Sequence, residues 1–285
     1  MEPTPRTVVL TGGNTGIGFE TALELARRGD RIVLGCRNQT KADAAVTELR
    51  HRSGSDRVES RPLDLADLVS VRAFAESLRD LDRIDVLVNN AGLVLDHRQW
   101  TAQGIEATVG TNHVGHYLLT ELLTDQLLAA TRARVVIVAS IAHAGAAGGI
   151  RWDDLERDGR YRTWRAYGES KLANILHAEA LTRKFAGTGV VANSLHPGGV
   201  HTGFGRDGDT SGLTAKVIAF GDHILLSPEA GARTSIFLAS DAAADAISGR
   251  YWYRCRRSRI VPWTRRQGDV EELVRRSDEL VARLA

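Results

Sequence analysis

The chain is short of cysteine and, less commonly, of lysine. Cys36 and Cys255 are the two cysteines among 285 residues. One pair makes neither a disulfide framework nor a zinc site, so no metal is expected and a reducing, cytoplasmic setting is. Lysine occurs four times, at positions 41, 171, 184 and 216, which gives weight to any lysine inside a motif. Charge of one sign is also lacking: 37 Lys and Arg against 35 Asp and Glu leave +2, with no basic excess to suggest nucleic acid. No apolar run reaches the roughly 18 residues of a membrane-span candidate. Met1 to Arg6 is too short and polar for a signal peptide, so no membrane anchor is expected. Neither linker nor repeat period breaks the chain, and 1–285 reads as a single domain.

What is present is alternation. Strands are read at Arg6–Thr11 (a short β-branched run), Arg31–Cys36, Val58–Leu63, Ile84–Val88, Arg134–Ala139 and Val190–Leu195, alternating with helical patterns at Ile17–Arg28, Lys41–Arg50, Leu68–Leu81, Gly104–Ala130, Trp164–Ala186 and Pro228–Ala239. A last short strand is expected within Gly249–Tyr253. Strands apolar throughout, separated by helices, predict an α/β fold with one doubly wound parallel sheet and helices on both faces. Ligands of such sheets sit beyond the carboxyl ends of the strands. The irregular segments 93–103, 141–163 and 198–226 follow the fourth, fifth and sixth strands and are the pocket candidates. The insertion 141–163 carries Trp152 and Tyr161, with Trp164 beside it. The segment 198–226 holds Phe204 and Phe220, and its glycines predict a lid. Aromatic walls of this kind suit a medium-to-large lipophilic substrate, although packing of the insertion onto the core explains the tryptophans equally well.

Thr11-Gly12-Gly13-Asn14-Thr15-Gly16-Ile17-Gly18 joins the first strand to the first helix. Glycines there let the backbone approach a pyrophosphate, and the helix start offers free N–H groups. The spacing G-x-x-x-G-x-G lacks the Lys-Ser/Thr of a P-loop. The second strand ends without an acid, and Arg37 follows Cys36 directly. An arginine at that place accommodates the 2′-phosphate of NADP(H) and makes NAD(H) the lesser candidate. Asp64, after the third strand and next to Leu65, either accepts a bond from an adenine amino group or caps the next helix.

Tyr167-Gly168-Glu169-Ser170-Lys171 sets a tyrosine and one of the four lysines at i and i+4 on one helix face. A nearby ammonium is expected to lower the phenol pKa toward the working range of an acid–base catalyst. The spacing alone is a common helix surface. Its company is Asn89-Asn90-Ala91-Gly92, Asn112, Ser140 at the end of the fifth strand, and Pro197-Gly198 after the sixth.

Together these motifs resemble the short-chain dehydrogenase/reductase family, whose Rossmann fold would span Thr7 to about Tyr253. The resemblance implies Tyr167 as general acid/base, Lys171 on the nicotinamide ribose, Ser140 on the substrate oxygen and Asn112 supporting a water. It implies cofactor contacts from Gly12, Asn14, Thr15, Gly16, Ile17, Gly18, Arg37, Asp64, Leu65, Asn90, Ala91, Gly92, Tyr167, Lys171, Pro197, Gly198, Val200 and Thr202. Thr111 to Thr120 (TNHVGHYLLT), Ser140-Ile141-Ala142-His143, Tyr167 to Asn174 (YGESKLAN) and Ser194 to Gly198 look like the retinol-dehydrogenase-like branch. The 27-position gap from Ser140 to Tyr167 fits the same branch. Two departures stand out: the hydrophobic anchor of that branch's membrane members is missing, and Ala139 replaces a frequent serine. His143, His196 and His201 have no metal-ligand spacing and read as pocket or packing residues.

The resulting expectation is an NADP(H)-dependent oxidoreductase acting on a carbonyl or alcohol, with a catalytically silent cofactor-binding sensor or scaffold on the same fold as the alternative. Arg250 to Arg266 contains seven arginines in 17 residues, a docking patch for an acidic carrier protein or simply a solvated face. It opens a basic C-terminal extension, 254–285, whose Asp269–Leu284 stretch is amphipathic. A homodimer or homotetramer through the long helices at 104–130 and 164–186 is expected.

Overall fold

The computed structural model describes residues 5–154, 161–199 and 226–284. Its centre is one sheet of eight strands: β1 (Thr7–Thr11), β2 (Arg31–Cys36), β3 (Val58–Pro62), β4 (Val86–Asn89), β5 (Ala133–Val138), β6 (Val190–Leu195), β7 (Tyr251–Tyr253) and β8 (Arg256–Ser258). The order is β3-β2-β1-β4-β5-β6-β7-β8. All pairs are parallel except β7 with β8. The chain winds outward in one direction from β1 and in the other from β4, so the sheet has its topological switch point between them.

The inner strands β1, β2, β4 and β5 are apolar on both faces because both faces are covered, whereas β3 (burial falling from Val58 to an exposed Pro62) and β8 at the edges are polar. Val8, Leu10, Ile32, Leu34, Val86 and Val88 pack with α1 (Gly16–Arg27), α2 (Gln39–Ser53) and α8 (Pro228–Ser240). Their neighbours Val9, Val33, Leu87, Val135 and Ile137 point the other way, into α3 (Leu68–Ser77), α5 (Gly115–Leu122) and α7 (Thr163–Lys184). Period-two alternation thus divides one apolar run between two cores.

Local signals set the helix ends. Gly29, at φ 90°, follows α1 as the sequence suggests. The Asn38 side chain accepts from Lys41 N–H, so α2 starts earlier than its apolar pattern shows. It is Asp67, not Asp64, whose side chain caps α3.

Three features depart from the expected pattern. The single helix expected over 104–130 is four pieces: α4 (Ala107–Val109), a π turn at Gly110–Val114, α5 and α6 (Thr124–Ala129). Close packing accompanies the interruption. A Cβ on Gly110 would lie 2.4 Å from Thr101, and one on Gly115 would lie 2.5 Å from the Leu65 carbonyl oxygen. Strand β8 returns antiparallel through Arg254 and Cys255, both at positive φ. Finally, α9 (Asp269–Val281) buries Val270, Leu273 and Leu280. It packs on α7 and the π turn, where His113 meets Ser277 (2.8 Å) and the Tyr117 hydroxyl donates to Asp278 (2.7 Å). Among the described residues no helix is long and apolar enough to cross a membrane.

Candidate active site

The glycine turn leaves β1 at the switch point. Gly12 and Gly16 have φ of 69° and 58°, a region that side chains with a Cβ avoid. Gly18 is required by contact: an added Cβ would lie 2.4 Å from the Gly12 carbonyl oxygen and 2.6 Å from Asn90 Nδ2. Thr15 stands exposed at the N-cap of α1 without a side-chain cap bond, and Asn14 beside it is half-buried. The first-turn N–H groups therefore lack the usual side-chain acceptor, the arrangement that suits an anion. The Cys36 thiol lies beneath the turn, beside the Gly12, Gly13 and Asn14 backbone; burial raises its pKa. Arg37, one residue further, is exposed. Asp64 accepts from Ala66 N–H at 2.9 Å, whereas the Leu65 side chain is in the core.

Across the switch point, the end of β4 is fastened to the same turn. Asn90 Nδ2 donates to the Thr11 and Gly12 carbonyls at 2.9 and 3.1 Å. The N–H groups of Asn90 and Ala91 both donate to the Thr11 hydroxyl at 3.0 Å. Asn112, in the π turn, uses its amide on three partners: it accepts from Leu93 N–H (2.8 Å) and donates to the Leu93 carbonyl (2.9 Å) and the Ser170 hydroxyl (3.0 Å). A Cβ on Gly92 would meet Asn112 Oδ1 and Lys171 Nζ, each at 3.2 Å.

Ser140 follows β5, and Tyr167 and Lys171 lie on the buried face of α7. Ser140 accepts from Ala142 N–H at 3.1 Å and hydrogen-bonds the Tyr167 hydroxyl. Lys171 Nζ donates to the Val138 carbonyl at 3.2 Å and stands 5.6 Å from the Tyr167 ring centroid. Burial dominates both ionisations. It pushes the Tyr167 phenol up to about 12 against the lowering effect of Ser140, and pulls Lys171 down to about 8. The lowered phenol pKa expected from the sequence is therefore not found in the protein alone. Desolvation of Tyr167, a residue only 8% exposed, outweighs its hydrogen bond to Ser140.

The surroundings sort the remaining candidates. His143 is enclosed, with the Ser140 carbonyl on Nδ1 (2.8 Å) and Val261 N–H on Nε2 (3.2 Å). His196 stacks on Tyr253 with centroids 4.0 Å apart. No cluster that could hold a metal occurs among the described residues. The Tyr161 hydroxyl bonds Thr108 and Glu106, which anchors it as packing. Trp152 packs against a small apolar cluster with Ile150 and Leu176. Trp164 is 46% exposed and edge-on to Tyr167 at 6.3 Å. Pro197 and Gly198 are half-buried beyond β6. Val200, Thr202, His201, Phe204, Phe220 and most of the expected lid lie outside the described residues. Sequence reasoning passed over His116, which is buried between Thr11 and Asn112; only its place four residues after Asn112 hinted at this.

A family model described as short chain dehydrogenase matches residues 6–153. The chain belongs to that family. Its relatives include retinol dehydrogenase 13 of Homo sapiens, 41% identical over 95% of this chain and 82% of the relative, and retinol dehydrogenase 12 of Mus musculus, 40% identical over 97% and 86%. It is thus a retinol-dehydrogenase-like short-chain oxidoreductase, as its motifs imply. Among solved structures, an uncharacterised protein from Mycobacterium paratuberculosis is 34% identical, covers 97% of this chain and 93% of its own, and has a TM-score of 0.76. Salutaridine reductase from Papaver somniferum (22% identity, 87% and 99% coverage, TM-score 0.67) and a short-chain dehydrogenase from Sphingobium yanoikuyae in complex with NADPH (23%, 81% and 83%, 0.65) share the fold.

Proposed function

We propose that this member of the family is an NADP(H)-dependent oxidoreductase that interconverts a carbonyl and an alcohol on a medium-to-large lipophilic substrate. The observation that carries the reading is the convergence of Ser140, Tyr167 and Lys171 beside Gly92 and Asn112. The residues fit a dinucleotide: α1 begins without a side-chain cap, Gly92 leaves a space in front of Lys171 Nζ, and Arg37 is an exposed guanidinium with no partner among the described residues. The Sphingobium structure holding NADPH supports the same choice. When bound, the nicotinamide supplies or accepts the hydride.

The chain's own groups handle the proton. Ser140 holds the substrate oxygen next to the Tyr167 hydroxyl, which gives its proton to that oxygen in reduction and takes one back in oxidation. A phenol at about 12 is too weak an acid for this near neutral pH. Lys171 is charged below about 8, and its ammonium brings the phenol toward the working range as the phenolate develops. Its remaining N–H donors would hold the nicotinamide ribose. The presence of all four of Asn112, Ser140, Tyr167 and Lys171 argues against the silent sensor or scaffold reading.

The cytoplasm, carrier docking on Arg250–Arg266 and homo-oligomer assembly belong to the proposal. Part of the helix surface reserved for pairing is covered by α9, and Arg265 in the basic stretch is engaged by Glu179 at 2.6 and 3.0 Å. Light scattering near the 31.0 kDa of one chain would remove the oligomer. A screen of lipophilic aldehydes and ketones followed by NADPH absorbance tests the activity. Turnover that Tyr167→Phe abolishes is expected; NADPH binding with no turnover across the screen would favour the sensor.

A further inference from the structure

The Asn90–Leu93 segment is held at both ends. Thr11 takes the N–H groups of Asn90 and Ala91, and Asn112 takes both the N–H and the carbonyl of Leu93. Thr11 and Asn112 are far apart in sequence, and one ring joins them. His116 Nε2 lies 2.8 Å from the Thr11 hydroxyl, and His116 Nδ1 lies 3.0 Å from the Asn112 main-chain carbonyl. The imidazole is 1% exposed.

Hydrogen-bond valence fixes the tautomer. The Asn112 carbonyl only accepts, so Nδ1 carries the proton. The Thr11 oxygen already receives two N–H groups, so its own proton goes to a bare Nε2. A second ring proton would point at an oxygen without room for it. Burial, with Lys171 from α7 and His113 from the π turn, outweighs the Asn112 carbonyl and leaves the ring at about 3; His177 from α7 is itself held well below 6.5.

We propose that His116 is a positioning residue for the reaction, joining the phosphate-side turn at Thr11 to the π turn at Asn112 and thereby clamping the Asn90–Leu93 segment that fronts Lys171. It touches neither substrate nor reacting atoms. It acts through Asn112, whose amide also holds Ser170, the residue before Lys171. The role in catalysis rests on the reading of Ser140, Tyr167 and Lys171 given above, whereas the clamp on the cofactor segment does not.

Three substitutions separate the two bonds. His116→Phe keeps the ring and removes both. His116→Asn places an amide N–H where Nδ1 stands and restores the bond to the Asn112 carbonyl. His116→Gln places an amide oxygen where Nε2 stands and restores the bond to Thr11. The readouts are NADPH affinity by fluorescence titration, the pH profile of kcat, and the unfolding midpoint. His116→Phe is expected to weaken NADPH about tenfold, the scale of losing a buried hydrogen bond, and to move the pH profile by about half a unit or more. The Asn variant should regain the profile and the Gln variant the affinity, a division that general loss of packing would not produce. Should the Phe variant fail to fold, the Asn and Gln variants carry the test. Wild-type affinity and profile in a folded His116→Phe protein, or in both single-bond variants, overturn the proposal. A Tyr167→Phe control that remains active refutes the catalytic reading instead, and NADPH affinity alone then decides the clamp.

Discussion

The two sides of the switch point treat polar groups differently. On the β1–β4 side, the Thr11 hydroxyl, the Asn90 and Asn112 amides and the His116 ring form a network in which each donor meets an acceptor. On the β5–α7 side, Tyr167 and Lys171 are as deeply buried but sparsely bonded, and burial displaces both pKa values toward the uncharged form. A saturated network resists change and holds geometry. An undersaturated pair stores the capacity to move a proton, at a cost in stability. The candidate site is thus a rigid cradle beside an electrostatically uncomfortable pair.

The largest break in that contrast is Tyr167→Phe. It keeps the ring and removes the proton, so kcat should fall by about 10²–10⁴-fold while the folded protein still binds NADPH; turnover within a few-fold of wild type would remove the assignment. Lys171→Met comes next. It should lower kcat and NADPH affinity together, and the double variant should be scarcely slower than either single one, because groups acting as a unit are non-additive.

The same substitution should stabilise the protein without cofactor. Lys171 has a folded pKa of about 8 against an ordinary 10.5, so the unfolded chain binds the proton more readily. The penalty is complete below about pH 8 and disappears as pH rises toward 10.5. Urea midpoints at pH 7.5 and 10 should show Lys171→Met ahead of wild type at the lower pH and the gap closing at the higher.

Arg37→Ala sharpens the cradle side. Its guanidinium should contribute to NADP(H) and hardly to NAD(H), so NADPH affinity should fall about tenfold or more with NADH unchanged. Equal wild-type affinity for both cofactors would sink the preference. The smallest effect is expected at His177, whose two ring nitrogens are buried without hydrogen-bond partners among the described residues. Phenylalanine there should raise stability by about 1 kcal/mol. Burial and the nearby His113, His116 and Lys184 hold the His177 pKa well below 6.5. Wild type should therefore lose stability as pH falls below 6.5, and His177→Phe should lose less.

Much of this was readable from residue order. Apolar runs such as Val8 to Leu10 had to be buried on both faces, and that requirement alone predicts the layered parallel sheet. Tyr167 and Lys171 share a helix face by spacing, and Ser140 reaches them because β5 lies beside β6 and beneath α7. What could not be read depends on packing between distant segments. The π turn at Asn112 has an ordinary helical sequence; its interruption accompanies close approach to Thr101 and Leu65. The direction of the Tyr167 shift turned on desolvation, which spacing does not report. Strand β8 needed two non-glycine residues at positive φ, against their usual preference.

The contact of α9 has a consequence for how the molecule assembles. His113 and Ser277 are 164 positions apart, so their meeting closes one of the longest loops in the chain. Such contacts are entropically expensive to form early. The sheet and its two apolar layers can condense first, leaving His113 and Tyr117 wet until α9 docks. Refolding followed by fluorescence of Trp263, at the approach to α9, should therefore lag the main collapse. A shortened chain ending before Ser277 should stop at that half-finished stage, with α7 exposed along one flank.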